Sequence, residues 1–153
     1  MRLYLVQHGD AVPEQRPLSA AGRREVEAVA RLLASKCTRA ARVAHSGKLR
    51  ARQTAELLAA ALAPGTVSET MTGLNPNDPV EPVVRSIAEW TSEVMLVGHL
   101  PFLGKLVARL VAGDERKPVA AFIPGTVVCL EQGETAHWAI TWMVRPELAL
   151  RPD

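Results

Sequence analysis

The chain is poor in cysteine, in aromatic residues and in excess charge, and each shortage removes a class of protein. Cysteine occurs only at Cys37 and Cys129, far apart and in no C-x-x-C spacing. That argues against a disulfide-stapled scaffold and a thiolate metal centre, and both thiols are expected to behave as small apolar groups. Aromatics make up 4% of the residues and the net charge is +2, so the pI of about 8.8 reflects no basic block interleaved with rings. A nucleic-acid platform is therefore not expected. No apolar run approaches membrane-spanning length, and no secretory apolar core opens the chain. Membrane contact is not expected, and the cytoplasm is the default location. No cysteine or carboxylate cluster suggests a metal, and no cofactor is expected.

What is present suits a globular chain. Hydrophobic residues at 48% and charged residues at 22% are ordinary, and 153 residues fit one domain, 1–153, with a sizeable core. Leu3 to Val6 is a short apolar strand, followed by a proline-bearing loop, Val12 to Leu18. Ser19 is a helix N-cap for Ala20 to Ser35, whose Val26, Val29, Ala30 and Leu33 fall on one face. Arg42 to His45 is a second strand. A helix from about Lys48 to Leu62 buries Ala51, Thr54, Ala55, Leu58 and Leu62, and Pro64-Gly65 ends it. Val67 to Met71 is a weaker strand, Gly73 to Pro82 a loop over the mouth of a site, and Val83 to Trp90 a short helix. Glu93 to Val97 is an apolar strand, and a helix follows from Pro101 to about Val111. Val119 to Ile123 and Thr126 to Glu131 read as extended. Gln132-Gly133 turns the chain into Ala136 to Val144, where Trp138, Ile140 and Trp142 alternate with Ala139, Thr141 and Met143. Arg145 to Asp153 reads as a surface tail. Alternating βα units thus precede antiparallel strands, the pattern of an α/β fold.

Two of the four histidines, His8 and His99, follow apolar strands directly and stand beside a glycine. Ligands in open α/β sheets bind beyond the carboxyl ends of strands, and glycine lets a ligand approach the backbone. Lys48, Arg50 and Arg52 crowd the first turn of a helix whose N-terminus already carries partial positive charge. An anion bound there resolves that conflict. Arg50 is the residue assigned to the pocket, with Lys48 and Arg52 facing water. Arg16, in the loop before the first helix, is a second candidate cation, or a solvated one. Guanidiniums match phosphate oxygens, and a neutral imidazole nitrogen can accept a phosphoryl group and yield it to water. Asp10 is either a proton donor or orienter for His8, or a loop cap. His45 is a further candidate for lining the pocket. His137 and the tryptophans Trp90, Trp138 and Trp142 read as structural.

These residues carry a family likeness. QHGDA at Gln7 to Ala11, RPLS at Arg16 to Ser19, SGKLRARQT at Ser46 to Thr54 and GHLP at Gly98 to Pro101 occur in the order found in the histidine phosphatase superfamily. The chain resembles that superfamily to about Val144, and its small size, the short RPLS insert and Leu74-Asn75-Pro76 look most like the SixA-type phosphohistidine phosphatases. The resemblance implies a mixed, mostly parallel sheet flanked by helices on both faces, in the phosphoglycerate-mutase-like style. It implies that His8 is the phosphoryl-accepting nucleophile, that Arg16, Arg50 and His99 hold the phosphoryl oxygens, and that no metal is needed. The implied partner is a phosphorylated His-containing protein domain; a monomer is the default.

Two positions depart from the pattern. Gln7 stands where the motif has an arginine, so the phosphate contact at that position carries no charge. Gly47 replaces a proline, which alters only loop stiffness. Mutase-like members also use a glutamate after the third strand, where this chain has GLNPND. Imidazole, with a conjugate-acid pKa of about 6.5, leaves more easily than an alkoxide, so a missing acid favours a P–N substrate. Three functions are consistent with these residues: a phosphohistidine phosphatase, a phosphate- or phosphohistidine-binding module weakened by Gln7, and a small-molecule phosphomonoesterase of the same fold.

Overall fold

The computed structural model describes residues 1–150. Its frame is one six-stranded sheet in the order β3-β2-β4-β1-β5-β6. The strands are β1 (Arg2–Gln7), β2 (Arg42–His45), β3 (Glu69–Thr70), β4 (Val94–Gly98), β5 (Val127–Gln132) and β6 (Trp138–Val144). β1, β2, β3 and β4 are mutually parallel, β5 is antiparallel to β1 and β6 antiparallel to β5, which gives the expected mixed, mostly parallel sheet. The helices are α1 (Ala20–Ser35), α2 (Leu49–Leu62), α3 (Glu81–Ala88), α4 (Phe102–Ala112) and a short α5 (Pro146–Ala149).

The apolar alternation of β1 sets the two cores. Tyr4 and Val6 face α1 and α2, packing with Val26, Val29, Leu33, Ala55 and Leu58. Leu3 and Leu5 face the other way, against Val83, Ile87, Leu103, Leu106 and Val107 of α3 and α4. Helices therefore cover both faces, and the central strands are buried on each side. Among the described residues no helix is long and apolar enough to cross a membrane.

Several boundaries move from those expected. The third strand shrinks to Glu69–Thr70, because only these residues pair with β2. α3 starts at Glu81 and ends at Ala88 rather than spanning 83–90. Val119 to Ile123 joins no strand; the N–H of Ile123 donates to Thr126 Oγ1 and that of Thr126 to the Ile123 carbonyl, closing a turn through Pro124-Gly125. Ala136 is left-handed at φ 62°, so the last strand begins two residues later than expected, at Trp138. A bulge opposite Cys129 and Leu130 breaks the alternation of β6. Trp138 and Ile140 consequently pack on the α3/α4 side, while Trp142 turns to the other core and meets Tyr4 at 5.9 Å between ring centroids.

The tail is also not wholly a tail. Pro146–Ala149 forms α5, Pro146 is buried, and Ala149 packs against the core shared with α1. Residues 151–153 of that expected tail lie outside the described residues. Cys129 is buried as expected, but Cys37 is exposed, since it sits left-handed at φ 59° in the turn after α1.

Candidate active site

β1 and β4 are adjacent and parallel, so their carboxyl ends deliver His8 and His99 to the same edge of the sheet. Gln7 pairs with Gly98, and the N–H of His8 extends the ladder by donating to the Gly98 carbonyl at 3.0 Å. The two imidazole centroids are 5.0 Å apart. α2 then brings in Arg50, whose Nε–H donates to His8 Nε2 at 3.3 Å. Arg16 reaches the same place from the β1–α1 loop. His8, Asp10, Val12, Pro13, Arg16, Arg50 and Pro124 line a cleft of about 190 Å³. His8, Arg16 and Arg50 therefore share one cleft, with the His99 ring beside that of His8.

The tautomer of His8 follows from its partners. The Gly9 carbonyl can only accept, so Nδ1 donates to it at 2.8 Å. That leaves the lone pair on Nε2, facing Arg50 and the cleft. Burial lowers the His8 pKa, and the Arg50 and Arg16 charges lower it further, so the ring is neutral near pH 7. His99 is more enclosed, at 1% exposed. Burial, with the charges of His8, Arg50 and Lys48, pushes its pKa down to about 3. Its Nε2 meets Ser46 Oγ at 2.6 Å, while its buried Nδ1 has no partner.

A second set of residues fixes the loop that carries His8. Thr54 Oγ1, fully buried, accepts the Gly9 N–H at 3.0 Å and donates to the Arg50 carbonyl at 2.8 Å. Gln53 Oε1 accepts the Leu18 N–H at 2.8 Å. α2 thus positions the nucleophile loop as well as the cation. Gly22 lets α1 press on that loop: a Cβ there would lie 2.2 Å from the Asp10 carbonyl oxygen. In the sequence Thr54 reads as one of a row of buried positions, and Ser46, Gln53 and Gly22 carry no sign of a role at the site. A threonine in an otherwise Ala/Leu stripe is the signal that could have exposed the first.

Other candidates fall differently. Asp10 lines the cleft, but its Oδ2 accepts from Ser19 Oγ–H at 2.7 Å, and Ser19 in turn caps α1 through the Gly22 N–H. Its contacts are those of a loop cap. His45 is not in the cleft. Its Nδ1 accepts the Gly47 N–H, and its ring lines a separate cavity with Arg52, Glu56 and Thr70. The cause is its place in the sheet: His45 pairs with Thr70 of the edge strand β3, so its ring lies on the β3 side of β2. Lys48 and Arg52 are exposed, as expected. Gln7 is 8% exposed, and its enclosed Oε1 has no hydrogen-bond partner. Asn75 and Asp78 bond each other within the 73–82 loop, the Asn75 N–H donating to Asp78 Oδ2, and no residue of that loop lines the cleft.

An α/β sheet that gathers imidazoles and guanidiniums at the carboxyl edge of parallel strands is a site for a tetrahedral oxyanion. Residues 3–75, which carry His8, Arg16 and Arg50 and stop before His99, match the family model for the histidine phosphatase superfamily, branch 1. With the ordered motifs and the shared fold, this match supports a phosphatase similar to that superfamily. The chain is similar to the phosphohistidine phosphatase SixA of Escherichia coli K12, with 29% identity over 95% of this chain and 94% of the relative. Among solved structures, the protein histidine phosphatase SixA complexed with tungstate superposes with a TM-score of 0.86 at 27% identity, covering 97% of this chain and 99% of the other. A phosphoserine phosphatase mutant from Entamoeba histolytica, at 11% identity and a TM-score of 0.73 over 97% of this chain and 99% of its own, shares the fold.

Proposed function

We propose that the protein is a phosphohistidine phosphatase that removes the phosphoryl group from a histidine on a partner protein through a phospho-His8 intermediate. The observation that carries this reading is the poise of His8: neutral, held by the Gly9 carbonyl, with its Nε2 lone pair turned to Arg50 in a cationic cleft. In the first step Nε2 forms a bond to phosphorus while the substrate P–N bond breaks. The electron pair goes to the departing imidazole nitrogen, which takes a proton from solvent. In the second, water attacks phospho-His8, the pair returns to Nε2, and inorganic phosphate leaves as the water proton passes to solvent. Arg50, Arg16 and His99 hold the phosphoryl oxygens, so the guanidinium that rests on Nε2 releases that lone pair as it turns to the phosphoryl group.

The size of the cleft supports a protein-borne substrate. At about 190 Å³ it is smaller than the 300–1,000 Å³ usual for sites that enclose a small molecule. It admits a phosphoryl group and leaves the carrier outside. The implied partner is a phosphorylated His-containing domain, met in the cytoplasm. The SixA relatives support the same substrate.

Gln7 favours one other reading, a module that binds the phosphorylated domain without turnover. Incubation with such a domain separates the two. Phosphatase action predicts a phosphorylated peptide containing His8, release of inorganic phosphate, and loss of both in His8→Ala. Stable binding with no phosphoryl transfer would make the protein a binding module instead.

A further inference from the structure

The turn from β2 into α2 is held by side chains. Gly47 lies at φ 92°, in the left-handed region, and glycine is the residue with the most backbone freedom to lose. Lys48, which caps α2, makes no side-chain capping bond. Two neighbours supply the restraint. The Gly47 N–H donates to His45 Nδ1 at 3.1 Å, and the Lys48 N–H donates to Ser46 Oγ at a longer 3.4 Å.

His45 is rigid enough for that task. It is 3% exposed, and its carbonyl accepts the Met71 N–H at 2.8 Å, which ties its backbone to the residue after β3. A backbone N–H can only donate, so Nδ1 accepts and the ring proton sits on Nε2. Burial and the nearby Arg52 charge lower the His45 pKa, which keeps Nδ1 free to accept near pH 7. Between the two residues that this bond joins stands Ser46, whose Oγ meets His99 Nε2 at 2.6 Å. The direction of the Ser46 hydroxyl therefore depends on the bond that closes over it. Resting on the phosphatase reading above, we infer that His45, though outside the cleft, is a positioning residue for the reaction: through Gly47 and Ser46 it fixes the ring of His99 beside that of His8.

The test is kcat and KM of the intact protein toward potassium phosphoramidate, in the wild type, His45→Leu, His45→Asn, Ser46→Ala and the double variant His45→Leu with Ser46→Ala. Leucine fills the position without an acceptor, whereas asparagine offers Oδ1 near the place of Nδ1. His45→Leu is expected to lower kcat roughly two- to tenfold, the worth of one neutral hydrogen bond, with KM changed by less than about twofold. His45→Asn is expected to recover most of that rate. In the Ser46→Ala background His45→Leu is expected to cost nothing further, because the path from His45 to His99 runs through the Ser46 hydroxyl. If His45→Leu does not fold, by circular dichroism, His45→Val takes its place. Unchanged kcat in the folded variant without the acceptor, no recovery in His45→Asn, or a full additional loss in the double variant overturns the inference. Mass spectrometry for phospho-His8 in the same reactions tells the two failures apart. With the adduct present, only the role of His45 falls; with none in any variant, the phosphatase reading falls with it.

Discussion

Thr54→Val is the sharpest probe of how the site is built. Valine matches threonine in shape, so the fully buried position keeps its packing and loses one hydroxyl. That hydroxyl accepts the Gly9 N–H and donates to the Arg50 carbonyl. The carbonyl lies within α2, whereas the Gly9 N–H is left buried without an acceptor. An orphaned buried donor costs about 1–3 kcal/mol. For a domain of this size, each kcal/mol moves Tm by about 2–4 °C, so the midpoint should fall by roughly 2–12 °C. The same bond fixes the His8–Gly9 peptide to the helix carrying Arg50, so its loss loosens the nucleophile against the cation. Misplacement of reacting groups by about 1 Å can cost a hundredfold in rate. The loss should appear in kcat more than in KM, because the proposed phosphoryl ligands Arg16, Arg50 and His99 keep their own side chains. Thr54→Ser restores the hydroxyl and should recover most of the rate. Thermal melts and phosphoramidate kinetics on the three proteins decide it. A valine variant with unchanged Tm and kcat would refute the assignment of Thr54 as a positioning residue.

Three further outcomes are expected. Gly22→Ala sets a Cβ against the Asp10 carbonyl and should destabilise by about 1–3 kcal/mol, read from urea midpoints, with α1 displaced from the nucleophile loop. Ser46→Ala removes the hydroxyl on His99 Nε2 and should lower kcat while circular dichroism stays native; unchanged kcat would exclude a positioning role for Ser46. His8, His45 and His99 all have lowered pKa values, that of His99 about 3, so the unfolded chain takes up protons first as pH falls. Stability from these groups is fully present above about pH 6.5 and is lost toward the folded values, at up to about 1.4 kcal/mol per pH unit for each histidine; His99→Gln should flatten that decline in urea melts between those limits.

The sequence showed the fold well where one face or one period dominated. The stripes of α1 and α2 were readable because Val26, Val29, Leu33, Leu58 and Leu62 repeat at helical spacing and are all buried. β6 was misread because its strict alternation hides a bulge, and a bulge is set by pairing with β5 rather than by β6 itself. Pro146 shows the same limit, since α5 is held by packing against a distant core and its local sequence reads as surface. At the site, side chains with distinctive chemistry, His8, Arg16, Arg50 and His99, could be picked out in advance. Thr54 and Gly22 could not, because one acts through a backbone N–H and the other by having no side chain. His45 stands beside the right motif but lies toward the β3 edge, which only the pairing of β2 with β3 determines.

The electrostatics of the cleft follow from how cations and imidazoles share it. A nucleophilic imidazole must be unprotonated, and a phosphoryl site must be positive; those needs conflict only if the ring binds its own proton on the attacking nitrogen. Here the Gly9 carbonyl fixes the proton on Nδ1, and Arg50 faces Nε2 with a charge that opposes a second one. In the proposed mechanism the guanidinium that holds the phosphoryl oxygens therefore also keeps the His8 lone pair free of a proton before they arrive.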